Sequence, residues 1–240
     1  NPSDPGSIQC GSIHWYCFEK FFNHAVTAAV AARRTFGNVP IYSFFHAFGT
    51  LMQDQIQKAI LELDSIRDSR DVSLCTLIAL YYAEKRKKNP DREVVQELDA
   101  KIKEDRKSAS PRSLYNAGMF FWLLGRNDKA REYIDRMIKL SNGAREGIIL
   151  KAWVNVTSGQ DMYAKKAGKL FDEGLKERTD AFGLMGKAQY YEYRQNYSGA
   201  LEVINQVIVG FPGFLPALIK KMKLLLILQD WEQTILAAHR

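Results

Sequence analysis

GMFFWLLGRNDKAREYIDRMIKL (118–140) decides the reading of this chain, because its outline returns in GKAQYYEYRQNYSGALEVINQVIV (186–209). Each stretch sets a small residue, an aromatic, a tight turn and then an alanine at matching offsets. With Ala130 laid on Ala200, Leu114 falls on Leu184, Gly118 on Ala188, Phe121 on Tyr191, Ile134 on Ile204 and Met137 on Val207. Small residues at fixed places let two antiparallel helices approach closely, and large ones fill the seam between them. A unit of about 34 residues built this way buries its apolar face only by stacking on its neighbours.

The spacing predicts an all-α chain, a right-handed α-solenoid of tetratricopeptide helix-turn-helix repeats. The frame extends in both directions: Ala25 and Ala59 stand one repeat apart, and Tyr197 and Ala200 are followed by Trp231 and Thr234. About seven helix pairs are expected, over 9–38, 39–71, 72–109, 111–144, 145–179, 181–214 and from 215 onward. The third is widened by KRKKNPD (85–91), and the fifth carries a small insertion near 159–162. Ala25, Ala59, Gly118, Ala130, Ala188 and Ala200 are the predicted repeat-packing residues. The leader, taken as 1–8, is rich in Pro, Gly and Ser and reads as a flexible end or an expression remnant, leaving 9–240 as the array.

The chain has 240 residues and a formal net charge of +7. No run approaches the roughly 18 apolar residues of a membrane span, so membrane insertion is not expected. Three cysteines, Cys10, Cys17 and Cys75, have no paired CxxC spacing, which points to a reducing compartment. The basic residues are interleaved with acids, as in REVVQELDAKIKEDRK (92–107), and read as solvated helix faces. Basic clusters at Lys85 to Lys88, at Lys165 with Lys166, and at Lys220, Lys221 and Lys223 could steer an acidic protein partner. Helical RNA-reading repeats place short polar side chains at base-reading positions, where this chain is largely apolar, so nucleic acid is not expected.

Catalytic chemistry finds no constellation. His14, His24, His46 and His239 have no carboxylate and nucleophile at suitable intervals. Cys10, His14 and Cys17 share one face of the first helix at the spacing of metal ligands, but a fourth ligand is missing and a packed face explains them. The Gly-Lys step at Gly186 lacks the following Ser or Thr and the strand that a phosphate loop needs. The chain is therefore read as non-enzymatic, without metal or cofactor.

What remains is surface. In such arrays the first helix of each pair lines a concave groove, and its groove positions are filled here by Phe44 and Phe48, by Tyr115, Met119 and Trp122, and by Met185, Gln189 and Tyr193. Rigid aromatics and Met bury large area at small entropic cost, so these residues are predicted to bind a partner helix or extended segment. The competing reading is a superhelix wound tightly enough for them to pack on one another. Chaperone-binding arrays instead grip a terminal carboxylate with Lys and Asn where this chain has Tyr115 and Met119, or Phe44 and Phe48. A general peptide-binding adaptor or co-chaperone is the alternative.

DVSLCTLIAL (71–80), GRNDKAREYIDRMIKL (125–140), RQNYSGALEVINQVIV (194–209), FLPALIKKMKL (214–224) and QDWEQT (229–234) together resemble the N-terminal region of the tetratricopeptide repeat protein 21 family, from about Trp15 to Arg240. Both the A and B forms fit, with GLMGKAQ (183–189) and DWEQT leaning towards A. The resemblance implies a scaffold subunit of intraflagellar transport complex A, in cytoplasm and cilium, at axoneme and basal body. It would bind other complex A subunits, support retrograde transport and help admit ciliary cargo. An array cut within its last pair would expose Leu224, Leu226, Ile227 and Leu228, and is expected to pair end to end.

Overall fold

A computed structural model describes residues 5–239, the side chains of Pro5 and Glu232 excepted. The described residues form fourteen α-helices and no strand. They fall into two compact units: residues 16–143, and residues 144–239 together with 5–15, so the break lies inside the first helix, α1 (Pro5–Phe18).

The unit from 16 to 143 holds α2 (Phe22–Phe36), α3 (Pro40–Met52), α4 (Ile56–Ile66), α5 (Ser73–Arg86), α6 (Arg92–Lys107), α7 (Pro111–Leu123) and α8 (Asn127–Leu140). Within it α3, α5 and α7 form a row in which each packs on the next, and α4, α6 and α8 back them one by one. Proline opens α3 and α7, where its missing N–H costs nothing. The Asp91 carboxylate accepts the backbone N–H groups of Glu93 and Val94 and so caps α6. The two rows bury themselves differently. Eight successive residues of α7, from Ser113 to Phe120, are buried, whereas α6 buries only Leu98. Seven or more consecutive positions point in every direction around a helix, so α7 is enclosed and α6 is a one-sided surface helix.

The other unit adds α9 (Arg145–Val156), α10 (Asp161–Leu175), α11 (Ala181–Tyr193), α12 (Tyr197–Gly210), α13 (Leu215–Ile227) and α14 (Trp231–Ala238) to the first part of α1. Here α9 packs on α10, α11 on α12 and α13 on α14, and α9 also meets α11.

One device joins the two helices of most pairs. Lys20, Asp54, Gly125, Gly159, Gln195 and Gln229 all have φ between 58° and 74°, the left-handed turn that satisfies the last carbonyls of a helix. The predicted stretch in the third pair is present as residues 87–91, where Lys87 leaves α5 in extended rather than left-handed backbone.

Close approach occurs at the predicted small residues. Ala25, Ala59, Ala130, Ala188 and Ala200 are fully buried. A Cβ at Gly118 would lie 2.7 Å from Ile134 Cγ1, so α7 and α8 touch through that glycine.

The leader requires a correction. Residues 5–8 are helical, the first turn of α1, rather than a flexible end; residues 1–4 lie outside the described residues. The first pair also departs from the regular plan. Seven successive residues, Gly11 to Cys17, are buried, so α1 is covered on every side.

Candidate protein-binding groove

The groove positions begin with local folding signals. Ser110 Oγ accepts the Ser113 N–H at 3.1 Å and starts α7. Ser113 Oγ and Asn116 Nδ2 then donate to the carbonyls of Arg70 and Asp71, at 2.9 and 2.8 Å, which fixes α7 against the segment before α5. Tyr115, Met119 and Trp122 consequently share one face of α7. In the other unit Asp180 Oδ1 accepts the Gly183 N–H at 2.6 Å, and Arg145 binds the opposite carboxylate oxygen at 2.5 Å. Those contacts set α11 and its Met185, Gln189 and Tyr193.

These faces are not open. Phe44, Phe48 and Met119 are fully buried, Met185 is 1% exposed, Trp122 4% and Tyr115 8%. The expectation of a free apolar surface at these six residues is therefore corrected. The physical reason is tight packing along the row of first helices: Phe120 on α7 meets Phe44 and Phe48 on α3 edge-on, with ring centroids 5.7 and 5.5 Å apart. Such edge-to-face pairs contribute about 0.5–1.5 kcal/mol each beyond area burial.

The chain's own first helix covers Trp122 in one unit and Phe182 in the other. Within the unit of residues 16–143, Phe18 stacks on Trp122 at 5.2 Å. Within the other unit, His14 stands edge-on to Phe182 at 5.4 Å, and the Gly11 backbone rests on Phe182 and Phe214. Lys223 Nζ lies 5.8 Å from the Trp15 ring centroid. Trp153 stacks on Phe182 at 5.0 Å and donates its indole N–H to the Phe182 carbonyl at 3.0 Å, so it belongs to the core. Sequence reasoning passed over Phe18, Gly11 and Phe120. The signal was GSIHWYC (11–17), too evenly apolar for a helix with one wet face.

Gln189 and Tyr193 alone of the eight groove residues are partly exposed, and both make polar contacts. Lys220, 5% exposed, donates to Gln189 Oε1 at 2.9 Å and pairs with Glu192. A buried ammonium is tolerable only with such partners. The Tyr193 hydroxyl donates to Asp161 Oδ1 at 2.6 Å. That bond holds the Asp161 carboxyl below the usual range and pushes the Tyr193 phenol up.

Among the described residues no three His, Cys, Asp or Glu side chains converge on a metal-sized site. Cys17 and Cys75 are buried, and desolvation pushes both thiols up. No described helix is long and apolar enough to cross a membrane. Exposed apolar side chains gather on α13 and α14, at Leu226, Ile227, Leu228, Trp231, Ile235 and Leu236, whereas Leu224 is buried.

Stacked helix hairpins with small residues at their seams define the class as a helical repeat protein. The fold matches the crystal structure of a tetratricopeptide repeat protein from Parabacteroides merdae with a TM-score of 0.55 at 14% identity, covering 94% of this chain and 87% of that one. Residues 13–235 match the tetratricopeptide repeat protein 21 N-terminal ARM repeat, and the chain belongs to the tetratricopeptide repeat protein 21 family. It is 54% identical to human tetratricopeptide repeat protein 21B over 95% of its length, and 50% identical to human tetratricopeptide repeat protein 21A over 99%. A homolog from Caenorhabditis elegans is 23% identical over 92% of the chain. The chain spans 17% of the length of the human B form and 18% of the A form.

Proposed function

We propose that the chain is a non-enzymatic protein-interaction scaffold and that, as part of intraflagellar transport complex A, it acts in retrograde ciliary transport and ciliary cargo entry. The observation that carries the reading is membership of the tetratricopeptide repeat protein 21 family, matched over residues 13–235. A stack of hairpins offers long faces on which many modest contacts hold a partner without one deep pocket. Its partners are other complex A subunits, its place is the cytoplasm and cilium, and partner contacts fall on the exposed faces and around Gln189 and Tyr193. The apolar residues of α13 and α14 make end-to-end pairing the expected mode of self-association, read as concentration-dependent mass in sedimentation.

The test is affinity capture from ciliated-cell extract with the chain as bait, partners identified by mass spectrometry. Complex A subunits should be recovered. Chaperones alone would replace this reading with that of a general peptide-binding adaptor.

A further inference from the structure

In the unit of residues 16–143 the backing helices leave a cleft over α5, between α4 and α6. Its volume is about 230 Å³, and Ile60 of α4, Leu80 of α5 and Val94 and Leu98 of α6 give it an apolar lining. Small-molecule sites run to about 300–1,000 Å³, so this cleft suits about one or two side chains of a protein partner.

The cleft is open because α6 stands apart. Each of α4, α10 and α12 packs on the first helix that follows it, whereas α6 packs on α5 and has no comparable contact with α7. The stretched segment 87–91 leaves α5 in extended backbone, and at its far end α6 is tied to α8 by Arg106 with Glu132 and by Arg136 with the Lys107 carbonyl. Val94, Val95, Leu98 and Ile102 make an apolar stripe at helical spacing, yet of these only Leu98 is buried, and Val94 is 37% exposed. By contrast α4 buries Ala59, Leu63 and Ile66.

Charge selects the occupant. Three carboxylates, of Asp64, Glu84 and Glu97, face one guanidinium, that of Arg67. Asp64 pairs with Arg67 at 3.6 Å, and the buried Glu84 takes the Lys87 ammonium at 2.5 Å and the Asp91 N–H at 3.0 Å. Glu97 has no cation partner among the described residues, and it stands one turn from Val94 on the same face of α6. The unbalanced charge is negative and lies beside the exposed apolar residue.

We propose that this cleft docks a basic amphipathic helix of a partner protein, with its apolar stripe on Ile60, Leu80, Val94 and Leu98 and a Lys or Arg on Glu97. Its walls are helices, with no strand edge for an extended segment to join and no aromatic lining for a proline-rich one, which leaves the helix-in-groove mode. The proposal rests on the scaffold reading and not on the ciliary assignment.

The test uses the whole chain and three synthetic helical peptides of about four turns, sharing one leucine stripe and carrying Lys, Gln or Glu on its flanks. In fluorescence anisotropy the Lys peptide should bind, the Gln peptide about 10-fold more weakly, and the Glu peptide weakest of all. Glu97→Lys should weaken the Lys peptide about 10-fold and strengthen the Glu peptide, and Val94→Asp should weaken the Gln peptide by about the same factor. Both positions are exposed, so the variants should melt as the parent chain does. No binding of the Lys peptide, equal binding of the Lys and Glu peptides, or affinities that neither substitution moves would overturn the proposal. A chain that recovers complex A subunits from extract but ignores the Lys peptide would keep the scaffold reading and lose this one.

Discussion

Phe18 lies flat against Trp122, their ring centroids 5.2 Å apart and their planes 12° from parallel. Trp122 is thus covered by a residue more than a hundred positions away in the chain, and its role is structural before it is anything else. Trp122→Ala should destabilise the protein by about 3–5 kcal/mol, as large-to-small core changes do. Against Phe18→Ala it should show a coupling of about 0.5–1.5 kcal/mol in urea denaturation. Strict additivity would mean the stacked pair contributes nothing of its own.

Two helical glycines should respond in opposite directions to alanine. A Cβ at Gly186 would lie 2.3 Å from Phe171 Cε1 and 2.7 Å from Trp153 Nε1, and neither packed ring has room to retreat. Gly186→Ala is expected to cost roughly 1–3 kcal/mol or more. Nothing lies within 4 Å of a Cβ at Gly210, at the end of α12, so Gly210→Ala should gain about 0.5–1 kcal/mol. Thermal melts of the two variants separate these outcomes.

Gln195 occupies the left-handed turn position at φ 58° that Gly125 occupies at φ 74° in an earlier repeat. A side chain there is strained by about 1 kcal/mol. Gln195→Gly should therefore raise the melting temperature slightly, and Gly125→Ala should lower it. The reverse order would show that the Gln195 side chain makes contacts worth more than the strain.

Thiol reactivity should divide the cysteines. Cys17 and Cys75 are buried with their thiols held protonated by desolvation, while Cys10 is partly exposed. A maleimide at neutral pH should label Cys10 first and reach the other two only after denaturation. Labelling of Cys17 in the folded chain would reveal opening of α1.

Arg106 binds the Glu132 carboxylate, and that hydrogen bond is the first cause holding the Glu132 carboxyl below the usual carboxylate range. A carboxyl depressed in the folded state contributes stability above its unfolded value and loses it as pH falls through the folded one. Because the Glu132 side chain is 44% exposed, the contribution is small, at most about 1 kcal/mol. Glu132→Gln should cost that much at neutral pH, less in high salt, and nothing in acid once the wild-type carboxyl is protonated in both states. A pH-independent cost would assign the effect to packing.

The repeat frame was legible because it is local. Ala130 against Ala200, and the turn residues that recur about every 34 positions, reflect contacts between helices adjacent in sequence, where spacing fixes which side chains meet. The candidate groove was legible only as a set of positions. Helical spacing places Tyr115, Met119 and Trp122 on one face of α7, but a face can be wet or covered with the same sequence.

The chain's sequence by itself therefore determined the helices, their pairing and the family, since these depend on periodicity and short-range contact. Only the tertiary structure decided that Phe44 and Phe48 close on Phe120, and that Gly11, His14 and Trp15 lie on Phe182, Phe214 and Lys223. Apolar burial is non-directional, so a run such as GSIHWYC demands cover on all sides without saying which distant helices provide it.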